Sequence, residues 1–262
     1  KTHLTHPAGG LMHKLMLVAA ATMVSALVVV GVASAVDATQ AIDVTITHNK
    51  AGTKAKPKSL GKLNVVTTTA PGPVNTAGTF ATNKATIFFD KNIVFNGKAF
   101  KECKPSNPST PIGSEVKAKC ASAKIGAGKA AGQATVGAQE DLTVTAYNGA
   151  PTKANAANRW FYLHVEGALP LKIDSVIAAT LTRATGDYGY KLVVPIPPNL
   201  IQPLTGITAT LLNFSTSVGG TAKGLPYVGL KGCSGGKLKF KGTFVYTDNT
   251  SKTVTDTAAC KK

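Results

Sequence analysis

The chain has 262 residues, 44% of them hydrophobic, and carries 29 basic against 12 acidic side chains for a formal net charge of +17. That is enough apolar material for a core, which excludes a wholly disordered chain. Only Arg159 and Arg183 are arginines. The basic character is therefore lysine, which attracts polyanions broadly but lacks the planar fork that reads guanine, so specific nucleic-acid recognition is not expected.

The first element is a leader. Met12, His13 and Lys14 form a short basic start, Leu15 to Gly31 is apolar, and Ala33-Ser34-Ala35 supplies the small residues that signal peptidase accepts. The pattern predicts a signal helix over 1–35, cleaved after Ala35. The apolar stretch is shorter than the ~20 residues of a spanning helix, and none of spanning length follows, so the mature form is expected not to cross a membrane. Residues 1–35 hold two lysines and no acid, so the mature net charge is +15.

Strand patterning then begins. Ile42, Val44 and Ile46 alternate with Asp43, Thr45 and Thr47, the period that puts one side-chain set on one face of a pleat. Lys50, Lys54, Lys56, Lys58 and Lys62 follow as a dense basic run. Further strands are predicted over 61–69, 79–89 and 92–96, with Ala70-Pro71-Gly72-Pro73 as a turn. Lys104 to Gly113, with three prolines between two cysteines, reads as an ordered loop. The Gly- and Ala-rich stretch 122–135 reads as a strand in close packing or with a bulge, and 140–147 as another strand.

Phe161, Leu163 and Val165 alternate with Trp160, Tyr162 and His164, and strands are expected at 173–183, 188–196 and 205–215. Pro195, Pro197, Pro198 and Pro203 interrupt the passage between the last two. Most clearly, Leu238, Phe240, Phe244 and Tyr246 face a core while Lys237, Lys239, Lys241 and Thr243 face water, and 250–258 closes the series. No long stretch has helical period. The predicted fold is an all-β antiparallel sandwich of Greek-key or jelly-roll type over 36–262, either whole or as two closely packed halves meeting near residue 140.

Cys103, Cys120, Cys233 and Cys260 are an even set in an exported chain and are expected to form disulfides. The local pairing, Cys103 with Cys120 and Cys233 with Cys260, closes the shorter loops. No C-x-x-C pair exists and the mature chain keeps only His48 and His164, which argues against zinc. No cofactor pattern is present.

Gly232-Cys233-Ser234-Gly235-Gly236 satisfies G-x-S-x-G, but no histidine follows Ser234 as the α/β-hydrolase order requires. The trypsin-like order would need His48 or His164 with Asp90 or Asp174, and Cys233 stands where that family has an acid. A glycine-rich turn beside a disulfide explains the same letters. Acidic residues are scattered singly apart from Glu140 and Asp141, so no pair is nominated for glycoside hydrolysis. Asp187-Tyr188-Gly189 and Asp248-Asn249-Thr250 are turn compositions and lack the alternating ligands of a calcium loop.

Two binding candidates remain. Trp160, Tyr162 and His164 would lie in a row able to stack on sugar rings, unless they are covered as core. Lys54, Lys56 and Lys58 with Lys237, Lys239 and Lys241 would form a polyanion-binding field if they converge, and otherwise a solvated face.

Thr47-His48-Asn49-Lys50-Ala51-Gly52-Thr53-Lys54-Ala55-Lys56-Pro57, Phe88-Phe89-Asp90-Lys91, Val94-Phe95-Asn96-Gly97-Lys98, Leu192-Val193-Val194-Pro195-Ile196-Pro197 and Tyr227-Val228-Gly229-Leu230-Lys231-Gly232-Cys233 together resemble a group of secreted β-rich proteins of actinobacteria. The resemblance implies a Gram-positive exterior, and it transfers no activity and no functional residues. The expected function is a secreted, non-enzymatic envelope-binding or structural protein whose lysines touch anionic wall polymer or polysaccharide. The alternative is a secreted hydrolase, acting through Ser234 or on glycans beside Trp160.

Overall fold

A computed structural model of the protein describes residues 39–70, 81–135, 137, 139–152, 158–168 and 171–262. The expected leader and the turn at 71–73 lie outside these residues. The strands are β1 (Thr39–Ile46), β2 (Lys58–Ser59), β3 (Lys62–Ala70), β4 (Thr82–Asp90), β5 (Ile93–Phe95), β6 (Lys124–Ala134), β7 (Gln139–Pro151) and β8 (Arg159–Gly167). They continue as β9 (Ile173–Arg183), β10 (Tyr188–Pro195), β11 (Ala209–Gly219), β12 (Thr221–Ala222), β13 (Leu225–Pro226), β14 (Val228–Leu230), β15 (Lys237–Tyr246) and β16 (Ser251–Ala259). Two short helices, α1 (Gly113–Lys119) and α2 (Pro198–Ile201), interrupt them.

Eleven of the described strands form one antiparallel sheet in the order β1-β3-β11-β6-β7-β8-β9-β10-β4-β15-β16. The two edge strands come together, and across that seam the Val44 N–H donates to Asp256 Oδ2 at 2.7 Å. The protein is therefore predominantly antiparallel β as expected, but a single nearly closed barrel replaces the two-sheet sandwich. Alternating polar and apolar residues dictate only that one face is buried, and a curled sheet buries that face against itself. Curling is helped by register shifts between Leu211 and Asn213, Lys124 and Gly126, and Tyr188 and Tyr190, since an extra residue in one strand bends it and increases its twist. Residue 140 lies inside β7, which is paired on both sides.

The inward side chains include Leu63, Ile87, Leu142, Leu163, Ile177 and Phe240, all buried. Outward positions are polar: Lys237, Lys239, Ser251, Thr253, Thr255 and Thr257 on the last hairpin are partly or fully exposed. On that hairpin a greasy inside and a polar outside is the reverse of lipid-facing strands. Among the described residues no helix is long and apolar enough to cross a membrane.

One end of the barrel is plugged. A second sheet, β2-β14-β5, brings buried Leu60, Ile93, Val228 and Leu230 to it. Phe95 packs edge-on against Phe89, Tyr190 and Tyr227 with ring centroids 5.1, 5.3 and 6.2 Å apart. Burial pushes the Tyr190 and Tyr227 phenols above their ordinary value, so these two groups stay neutral.

A strap over 97–123 crosses the outer face of β7, β8 and β9. It is held by the Cys103–Cys120 disulfide, by the Cys103 N–H to the Asn148 carbonyl at 2.7 Å, and by Asn148 Nδ2 to the carbonyls of Gly97 and Lys101. Residues 104–112 are the expected loop, and α1 follows. Its first residue is glycine, and a Cβ there would sit 1.7 Å from Asp174 Oδ1 and force that carboxylate aside. The second disulfide, Cys233–Cys260, ties the start of β15 to the end of β16.

Candidate functional site

Period-two alternation on eleven strands aims one set of side chains at a common axis, and the set does not fill the space. A cavity of about 150 Å³ remains inside the barrel. Its floor is Phe95 of the plug with Phe89 of β4, and its middle is formed by Leu163, Ile177, Leu192 and Phe214. Small residues leave the room: Ala85, Ala130, Ala134 and Gly132 stand where leucines would close it. At the end opposite the plug Leu200 and Ile201 of α2 lie over it.

Polar groups gather mainly toward that far end, with Thr216, opposite Val65, nearer the plug. Gln40 accepts from the hydroxyls of Thr69 and Tyr246 at 2.9 and 3.1 Å, and its amide donates to the Thr68 carbonyl. Glu140, 6% exposed, accepts the Leu171 N–H at 3.3 Å. The Thr210 and Thr216 side chains on β11 belong to the wall, are buried, and have hydroxyls without a partner among the described residues. A cavity of this size with a hydrocarbon lining stays dry and can take a benzene-sized guest. Polar groups grouped at one end let a longer guest place a hydroxyl there.

The aromatic row expected on β8 is placed on the outer face, under the strap. Tyr162 and His164 are fully buried against α1 and Cys103–Cys120, and only Trp160, stacked on Tyr162 at 6.2 Å, is half-buried at the margin. Covered rings of this kind offer no platform to a sugar. His164 Nε2 instead meets Asp174 Oδ1 at 2.7 Å, beside Glu166, which is paired with Lys117.

Ser234 is exposed in the turn that carries the second disulfide, where Gly235 and Gly236 take the positive φ angles of 66° and 73°. His164 stands on β8, four strand spacings from β15, roughly 19 Å around the wall. Asp90 is occupied by Asn92 and by the Lys239 N–H. His164 and Asp90 are thus not brought to Ser234, and His48, at the plugged end, bonds through its backbone to Leu60.

Four of the six candidate lysines share one end of the barrel. Lys54, Lys56, Lys58 and Lys237 all lie exposed at the plugged end, where Gly52 bonds to Leu230, Ala51 to Lys261 and Cys260 to Gly236 through the backbone. Lys239 is held 2.7 Å from Asp187, and Lys241 lies 4.1 Å over the Phe88 ring.

The cavity was not foreseeable from alternation. Alternation names the inward residues, but a void depends on the sum of their volumes in a closure that the sequence does not spell out. The Ala130, Gly132 and Ala134 run was the available signal. No family model matches the chain, and neither a curated protein nor a solved structure matches it significantly.

Proposed function

We propose that this protein is a secreted, non-enzymatic carrier that holds one small apolar or amphiphilic molecule inside its barrel. The observation that carries the reading is the apolar cavity of about 150 Å³ enclosed by the curled sheet. Barrel interiors are common sites for small ligands, and a water-free apolar space favours a hydrocarbon guest. Glu140 at the far end disfavours a carboxylate head there, since two like charges in a poorly hydrated place repel. The guest is therefore a neutral molecule with at most a hydroxyl or ether at one end. Export is supported by the leader pattern and the two disulfides.

A calorimetric titration with indole, a guest close to benzene in width, tests this. Indole should bind and be displaced by benzyl alcohol, with benzoate weaker by roughly tenfold. An equal response to both would remove the argument from Glu140, and no indole binding would remove the carrier reading.

The exposed lysines at the plugged end favour a second role, contact with anionic wall polymer. Cosedimentation with purified wall should then weaken steeply between low and physiological salt. Salt-independent or absent binding would exclude it.

A further inference from the structure

The two arginines of the chain are 24 positions apart and belong to different strands, yet both line one pocket of about 240 Å³ at the plugged end. Arg159 opens β8 opposite Leu181, and Arg183 closes β9 opposite Tyr190, both in the inward register. Lys98 completes a positively charged rim, and Phe95, Leu181 and Leu225 give the pocket apolar walls.

Arg159 is only 4% exposed. Its Nη2 is satisfied by Glu102 and by the Gly149 carbonyl at 3.1 Å, but Nε and Nη1 are buried without a partner among the described residues. Guanidinium donors left unpaired in a desolvated place are costly, and a native structure keeps them where an acceptor is to arrive. The Arg183 guanidinium carbon lies 4.2 Å from the centroid of the Tyr190 ring, a cation–π contact that holds the group at the pocket. Among the described residues Glu102 is the carboxylate bonded to this group, and Lys104 shares it at 3.2 Å. Burial pushes Glu102 up, but the hydrogen bonds from Arg159 and Lys104 outweigh that and hold it below the ordinary carboxylate value. It therefore cancels one positive charge among four.

We infer that this pocket is a binding site for a small organic oxyanion, a phosphate or carboxylate head held by Arg159, Arg183 and Lys98 with its apolar body against Phe95, Leu181 and Leu225. Two guanidinium groups suit the several acceptor oxygens of such a head better than lysine does. The site lies outside the apolar cavity and stands whether or not that cavity carries a guest.

With only two arginines, the side-chain Nε–H region of a proton–nitrogen correlation spectrum holds two assignable signals. Phenyl phosphate should shift both, with saturation below about millimolar, while benzyl alcohol should shift neither and inorganic phosphate should bind more weakly for want of a body. Arg183→Gln, at an exposed position, should keep the backbone fingerprint and lose at least about tenfold in affinity; Lys98→Gln should lose a few-fold. A free small anion competes with phenyl phosphate at a single site, whereas the end group of an anionic polymer would compete only as the polymer. Unmoved arginine signals at ten millimolar phenyl phosphate, or wild-type affinity in folded Arg183→Gln, would overturn the assignment.

Discussion

Ala130 lies on β6 between Leu142 of β7 and Phe214 of β11, buried and facing the cavity. Replacing it with leucine adds three carbons that can enter the empty space without displacing a neighbour. At ~0.8 kcal/mol per buried methylene the gain is about 2.4 kcal/mol, and fixing the new side chain returns roughly 0.5–1 kcal/mol of it, leaving about 1.5 kcal/mol. For a domain of this size that corresponds to a rise in melting temperature of about 3–6 °C. The same leucine occupies the guest's place, so indole affinity should fall by roughly tenfold or more. Scanning calorimetry and the indole titration on one protein sample read both effects. A variant destabilised by more than about 1 kcal/mol would mean that the wall is already tightly packed, as over-filled cores are, and would refute the reasoning. So would a stabilised variant that binds indole as before.

Three further expectations follow from the frame. Cys103→Ser with Cys120→Ser opens a loop of sequence separation 17 and should cost about 3 kcal/mol by chain entropy; loosening the strap should red-shift the emission of Trp160, and an unshifted spectrum would detach the strap from that disulfide. Asp256→Ala leaves the buried Val44 N–H at the barrel seam without its acceptor, a loss of about 1–3 kcal/mol, and should speed exchange of that amide, whereas unchanged protection would show that the seam is held by other contacts. The hydrogen bond from Lys119, then those from Ser106, lower the Glu115 carboxyl from its ordinary 4.5 to about 2. A depressed acid stabilises the fold above its ordinary value and loses that contribution as pH falls toward 2, so a carboxyl titration should show a low midpoint in the native protein that rises in Ser106→Ala. A normal midpoint in the native protein would contradict the Ser106–Glu115–Lys119 arrangement.

What the sequence made legible was local. Leu238, Phe240, Phe244 and Tyr246 face inward and Lys237 and Lys239 outward because a pleat has period two, and that holds whatever the sheet does next. Closure is different. β1 pairs with β3 and meets β16 from the opposite end of the chain, and nothing in either segment distinguishes a barrel seam from a sandwich edge. The helix α1 escaped the pattern because seven residues, pinned by Cys120 and by Lys119 to Glu115, need no long amphipathic period. Alternation left open whether His164 faces solvent or lies covered, because the strap that buries it comes from 41 or more residues earlier. The two arginines were visible as letters, but their meeting depended on the pairing of β8 with β9.

Xenon pressurisation of a crystal tests the central claim most directly, because xenon enters only dry, apolar space of sufficient size. The account predicts a single strong site within the barrel, bounded by Phe89, Leu163, Ile177 and Phe214, that is lost in Ala130→Leu. Ordered water in that volume, or a barrel interior that takes up no xenon, would contradict it.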